Sequence, residues 1–224
     1  MAAESVNHSA TKTGRTVQDL GVYIDADVTM SAHVTAIFKA CFAALRQIRS
    51  VRCSLTRTTL LTLVHALVVT KVDYCSSVLS GTGQLSQRLQ SVFNASTRLV
   101  CSARKSEDIT PLLCELHWLQ VPERIQFRLC VLVYRCLNGT APSYLAETLH
   151  MTADLGSRQR LRSASTSTLV IPSTQRTTLG DRAFPVAAAR AWNALPPSVR
   201  SASSLLQFRC DMKAALFQSS YSSP

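Results

Sequence analysis

Acidic residues are scarce in this chain, 13 Asp and Glu against 24 Lys and Arg in 224 residues, and glycine is scarcer still at 7. So little glycine, with no regular spacing of turn residues, fits helices better than a β-sandwich. No Gly-rich loop follows a strand, which leaves nucleotide-dependent and methyl-transfer chemistry without a phosphate cradle. The longest apolar run, Leu60 to Val69, is interrupted by Thr62 and His65. It reaches about half of the ~20 residues a membrane-spanning helix needs. None of His8, His33, His65, His117 or His150 is followed two positions later by an acid, so the His-x-Asp part of an iron facial triad is missing. No two cysteines stand in a close Cys-x-x-Cys pair, the usual half of a structural zinc site. No cofactor is expected.

What the chain does have is charge of one sign and apolar surface. The net charge is +11, carried mostly by arginine, and 46% of residues are hydrophobic. That is enough to bury a sizeable core. Arginine forks onto phosphate oxygens with two parallel bonds, and an excess of positive charge favours polyanion partners. RNA or DNA is therefore the expected partner class, with no membrane and no identifiable protein partner. The competing reading is that the arginines only solvate the surface. Eight cysteines, Cys41, Cys53, Cys75, Cys101, Cys114, Cys130, Cys136 and Cys210, are scattered along mostly apolar helical faces. The N-terminal residues are polar and lack the apolar segment of a secretory signal. Reduced thiols in an intracellular protein, cytoplasmic or nuclear, follow as the expectation, and the Asn-x-Ser/Thr triplets at Asn7, Asn94 and Asn138 carry no meaning in that setting.

Hydrophobic periodicity predicts a mainly α fold: a helical bundle with one short N-terminal strand and an irregular Ser/Thr/Arg-rich tail ending in two helices. Residues 1–16 are polar and expected to be disordered. Over 17–25 the alternation of Val17, Leu20, Val22 and Ile24 reads as a strand, with a slip around Asp19. A helix over 31–50 carries Val34, Ile37, Phe38, Cys41, Leu45 and Ile48 on one stripe. A second runs from about Thr56 to Ser80 and is stopped by Gly81; a third spans about Leu85 to Ala103. Thr110-Pro111 reads as an N-cap followed by proline. Pro122 opens a long helix that Gly139 ends and Pro142 prevents from continuing. A short helix at about Tyr144–His150 closes a helical unit over 17–150. Residues 151–180, with Arg158, Arg160 and Arg162, read as a basic flexible linker with an extended piece at Leu169–Ile171. A C-terminal helical segment over 181–224 follows, with helices near Pro185–Ala194 and Ser204–Gln218. Leu63, Leu67, Leu89, Val92, Leu129 and Leu132 are expected to be buried together.

From Ile109 to Pro142 the chain reads ITPLLCELHWLQVPERIQFRLCVLVYRCLNGTAP. With Leu20-Gly21-Val22-Tyr23-Ile24-Asp25, Val72-Asp73-Tyr74-Cys75, Gly180-Asp181-Arg182-Ala183-Phe184 and Ala191-Trp192-Asn193-Ala194-Leu195-Pro196, this stretch resembles the region C-terminal to the polymerase domain of LINE-type (CR1/L2-like) non-LTR retrotransposon proteins. The segments occur in that family's order and cover nearly everything from Gln18 to Phe217. The resemblance implies a thumb-like region lying after the reverse transcriptase palm, where it would hold template and primer. The palm would precede residue 1, so the chain is expected to be a non-catalytic fragment of an RNA-directed DNA polymerase. The alternatives are a helical protein-interaction module and the product of a pseudogene.

The residues predicted to meet nucleic acid are Arg46, Arg49 and Arg52, near the end of the first helix, and Arg104 and Lys105, after the third. If the bundle brings those ends together, they form one basic surface. Basic side chains in a last helical turn also complement the helix dipole without any ligand. Catalytic candidates fare worse. Tyr23-Ile24-Asp25-Ala26-Asp27 resembles a polymerase Tyr-x-Asp-Asp, but the two carboxylates alternate with Ala26 and no third is evident, so they are expected to end a strand and lead into the helix start near Thr29 and Ser31. Cys114 and His117 lack two further zinc ligands. His117-Trp118 could be a base with a stacking platform, yet Trp118 sits between leucines and reads as a packing residue, as does Trp192. The strand and first two helices also resemble a segment labelled as the N-terminal domain of an AlkB-homologue protein; the missing triad excludes the dioxygenase activity this would imply.

Overall fold

Leu20 and Gly21 both take positive φ, 44° and 80°, and turn the chain between two short strands. Strand β1 (Thr16–Asp19) pairs antiparallel with β2 (Val22–Asp25) in the register Thr16↔Asp25 and Asp19↔Val22. A two-residue loop with both φ values positive matches the right-handed twist of the flanking strands. The single strand expected over 17–25 is therefore a hairpin, and the slip in alternation at Asp19 is where β1 ends. The structure, a computed structural model, describes residues 16–154, 167–175 and 177–221. The first fifteen residues, and Arg158, Arg160 and Arg162 of the expected linker, lie outside these.

Helix α1 (Ser31–Val51) buries Val34, Cys41, Leu45 and Ile48 of the predicted stripe together with His33 and Ala44, while Ile37 and Phe38 are only partly buried. The next helical stretch is built in three parts: α2 (Arg57–Val64), a π-helical turn (His65–Val69) and α3 (Thr70–Asp73). It starts at Thr56, whose hydroxyl accepts the Thr59 amide at 3.2 Å, as an N-cap should. The π turn adds a residue to one turn of the helix, so the buried stripe runs Leu60, Val64, Val68, Val69 and Val72. Leu67, expected in the core, is 40% exposed, and Leu63 and Leu132 are only partly buried. Regular periodicity carried past residue 65 points at the wrong face. Val68→Ala should cost about 1–3 kcal/mol, whereas Leu67→Ala should stay within about 0.5 kcal/mol. Urea melts of the two variants check this assignment, and equal losses would contradict the π turn.

The helix also stops earlier than Gly81. Tyr74 is extended and Cys75 is left-handed, with φ of 52°. This break turns the chain into a short 3-10 segment (Ser76–Leu79) that buries Leu79. Helix α4 (Gly83–Cys101) buries Leu89, Val92, Phe93, Ser96 and Val100. Helix α5 (Thr110–Glu115) begins one residue before the predicted proline position. Thr110 is inside the helix, and the Asp108 carboxylate, not the Thr110 hydroxyl, accepts the Thr110 amide at 3.2 Å.

Helix α6 (Val121–Leu137) has Pro122 in its first turn and the predicted glycine stop. Gly139, with φ of 66°, donates to the Cys136 carbonyl at 3.3 Å, and Thr140 donates to the Arg135 carbonyl at 2.9 Å. Those two bonds form a Schellman cap, and the αL position suits glycine. Helix α7 (Ser143–Ala146) is shorter than expected. The C-terminal helices are α8 (Thr177–Gly180), α9 (Phe184–Asn193), α10 (Pro197–Arg200) and α11 (Leu205–Tyr221).

Helix α6 supplies residues to two hydrophobic clusters. Val121, Ile125 and Leu129 join α1, α2, α3 and α4, with Trp118 edge-on to Phe93 at 5.6 Å between centroids. Cys130, Val133 and Tyr134 join Trp192, Phe208, Met212 and Leu216. The unit expected over 17–150 and the helices expected over 181–224 thus share one central helix. The described parts of the expected linker are tied into the second cluster. Met151 and Leu169 form an antiparallel bridge. Leu169 is 2% exposed, and its amide and carbonyl each meet the Asn193 side-chain amide at 2.8 Å.

Candidate nucleic-acid interface

Helices α1 and α4 lie side by side and run in the same direction. Near their starts, Arg88 donates to the Thr35 hydroxyl at 3.1 Å. At their ends, the Arg52 guanidinium bonds the Ser102 hydroxyl. Two helix C-termini, each with its orphan carbonyls and partial negative charge, therefore meet at one end of the bundle. Ser102 closes α4 in a left-handed conformation, and Ala103 donates back to the Arg98 carbonyl at 3.0 Å.

The predicted contact residues sit around this junction. Arg46 and Arg49 are exposed on the last turns of α1, off the Leu45–Ile48 stripe; Arg52 is half-buried between the helix ends; Arg104 and Lys105 are exposed just beyond α4. None of the five forms an ion pair among the described residues. Nearby carboxylates are engaged elsewhere. Glu107 accepts the Arg104 backbone amide at 2.7 Å, and Glu115 pairs with Arg57. A cleft of about 420 Å³ opens between Arg52, Arg57, Leu60, Ser102 and Glu115.

The catalytic decoys have structural roles. Asp25 accepts both the amide and the hydroxyl of Thr29, capping the approach to α1. Slight burial works to raise its carboxyl, but the Thr29 bonds outweigh this and hold it below the usual range. Asp27 is exposed. No group of three or more His, Cys, Asp or Glu among the described residues is arranged to hold a metal. His117 is exposed at φ of 51°, with its ring 5.7 Å from that of Phe217. Trp118 is 8% exposed, and its carbonyl accepts the Tyr221 hydroxyl at 2.7 Å. The Trp192 ring nitrogen donates to the Ser167 carbonyl at 2.8 Å. All eight cysteines are free thiols; Cys41, Cys130 and Cys136 are buried as apolar-face residues, whereas Cys53 and Cys210 are exposed. Burial pushes the Cys41 thiol up to about 11, which leaves it protonated and inert at neutral pH.

A second basic group escaped the sequence reading. Asp73 receives Arg124 of α6 in a two-pronged bond and Arg128 at 3.0 Å. Burial would raise the Asp73 carboxyl, but the two guanidiniums overcome it and hold it below the usual carboxylate range. The only sequence signal was the spacing of four between Arg124 and Arg128 on a helix.

The chain matches no family model, no curated protein and no solved structure. Among the described residues, no helix is long and apolar enough to cross a membrane.

Proposed function

We propose that this chain is a non-catalytic C-terminal part of a LINE-type reverse transcriptase, and that it binds the phosphate backbone of RNA or a primer–template at the joined ends of α1 and α4. The reading is supported by the order of the family-like segments and by the net charge of +11. The observation that supports the interface is the bond between Arg52 and Ser102, which brings the helix end after Arg46 and Arg49 to the helix end before Arg104 and Lys105. Arginine there is free to face solvent phosphates because the local acids bond elsewhere. Binding through such a surface is independent of sequence and weakens steeply with salt.

Replacing Arg46, Arg49 and Arg52 together by Ala is expected to weaken binding to every labelled single-stranded RNA tested. The plot of log affinity against log salt should become shallower by about 2, at ~0.7 for each lost contact. A control chain with Arg158, Arg160 and Arg162 replaced by Ala should bind nearly as the parent does. Equal losses in the two triples would mean that net charge alone drives binding, and the surface would have no special role. Primer extension dependent on Mg²⁺ and lost in Asp25→Asn would overturn the non-catalytic assignment.

One observation favours a protein-interaction module instead. The hairpin exposes Val17 and Leu20 beside Tyr74, and its strands pair only with each other among the described residues. That reading predicts RNA affinity indifferent to both arginine triples.

A further inference from the structure

We infer that a second cleft, between α6 and α11, binds a run of phosphates. The inference adds a site to the nucleic-acid reading and does not use the α1–α4 junction: the two clefts share no lining residue. The second cleft has a volume of about 720 Å³. Its walls are the π turn with α3, the turn at Cys75–Ser77, one face of α6 and the first half of α11, with Trp118 among the lining residues.

The charge in this cleft is one-sided. Five cationic side chains line it, Arg124, Arg128 and Arg135 from α6 and Arg209 and Lys213 from α11, against the single carboxylate of Asp73. Arg124 is fully engaged: it grips Asp73 and lies over the Phe93 ring, 4.8 Å from the centroid. Arg128 also touches Asp73, yet its side chain is 46% exposed, so an edge of the guanidinium stays open. Arg135 is exposed and gives one bond to the Thr140 carbonyl at 2.9 Å. Arg209 and Lys213 stand one turn apart on α11, exposed, and neither forms an ion pair among the described residues. The nearest acid on their own helix, Asp211, accepts from Gln207 instead. Ion pairing among the described residues therefore does not account for Arg209 and Lys213. Like charges gathered in a cleft with low-dielectric walls repel one another, and the same arrangement focuses the field on an anion.

A second observation points to a ligand. Ser76 is 3% exposed, lines the cleft, and its hydroxyl has no hydrogen-bond partner among the described residues. A buried hydroxyl without a partner costs free energy, and a phosphate oxygen in the cleft would accept its proton. The wall beside it contains the π turn, a distortion found frequently at functional sites. Spacing sets the size of the ligand. Arg128 and Arg135 are two turns apart, about 10 Å along the helix axis, a span that a row of phosphates matches better than a single one. The ligand carries several phosphates in a row, as a nucleic-acid backbone or an inorganic polyphosphate does.

The test uses the full chain and two probes, inorganic tripolyphosphate and a short fluorescent oligothymidylate, titrated separately and in competition. The double variant Arg209→Glu with Lys213→Glu alters exposed positions only and should melt like the parent. It should lose at least about tenfold in tripolyphosphate affinity, since two charge-assisted contacts vanish. The control triple at Arg158, Arg160 and Arg162 should bind tripolyphosphate nearly as the parent does. If the oligonucleotide competes with tripolyphosphate and also loses affinity in the α11 variant, the cleft takes a nucleic-acid backbone. If only tripolyphosphate is lost, it takes free polyphosphate. Parent-like binding of both probes by the α11 variant would overturn the inference, while loss of the oligonucleotide in the α1 triple alone would leave the junction surface standing without it. The reverse pattern would remove the junction surface and keep the cleft.

Discussion

Phe208→Ala is expected to lower stability by about 3–5 kcal/mol and to shift the melting of the whole chain in one transition. Phe208 is fully buried, stacked 4.6 Å from the Tyr134 ring and 5.6 Å from the Trp192 ring. Its removal empties the centre of the second cluster, and neither aromatic neighbour can fill the space. Trp192 is held by its bond to Ser167, and the Tyr134 hydroxyl donates to the Ala202 carbonyl at 3.1 Å. Both clusters draw on α6, so strain in one is felt by the other. Circular dichroism at 222 nm reports on the helices, and tryptophan fluorescence reports on both clusters, because Trp118 lies in one and Trp192 in the other. Coincident transitions in parent and variant are the expected result. Two separated transitions would show that α6 does not couple the clusters.

Asp73→Asn is expected to cost about 3 kcal/mol, the low end of the scale for breaking a buried ion pair from one side. The side chains of Asp73 and Arg124 are 13% and 19% exposed, so water in the adjoining cleft replaces the lost partner only in part. The contrast is Glu115→Gln. Its pair with Arg57 is about half exposed on both sides, and its loss should cost at most about 1 kcal/mol. Acid should reveal the same difference. The folded-state carboxyl of Asp73 lies below its unfolded value. Its contribution is therefore complete above the unfolded value, about 3.9, and disappears as pH falls through the lower, folded value. Urea melts between pH 7 and pH 3 should show the parent losing its advantage over Asp73→Asn in the acidic part of that range. A constant gap throughout would refute the assignment of the depressed carboxyl.

Local signals were readable wherever the physics is local. The proline in the first turn of α6, its Schellman glycine and the apolar stripe of α1 depend on neighbours within a few residues, and each is found where periodicity and capping rules put it. The misses share another cause. Leu67 was assigned to the core by carrying a regular helical period across His65–Val69, where the backbone takes a π turn. The Tyr74–Cys75 break has no glycine or proline to announce it. The Leu20-Gly21 turn follows the slip in alternation at Asp19, and a glycine with positive φ marks it. Leu169 looked like part of a polar linker because its burial depends on Asn193, 24 residues away. The candidate surfaces divide the same way. Arg46, Arg49 and Arg52 could be grouped from one helix alone. Their meeting with the Arg104 segment, and that of α6 with α11, are tertiary facts that no window of sequence contains.

In genetic terms the π turn over His65–Val69 carries one codon more than a regular helix would. Remove the codon for Leu67, and the buried positions that now run 60, 64, 68, 69 and 72 would take the spacing of an uninterrupted amphipathic helix, with apolar residues at intervals of four, three, one and three. An in-frame deletion in the middle of a helix normally rotates everything beyond it by about 100°. Here the helix already carries the surplus residue, so the core is the part least disturbed by losing it. His65 and the neighbouring wall of the α6–α11 cleft would lose their present shape instead. The surplus residue thus shapes the wall of the cleft more than it serves the packing of the core.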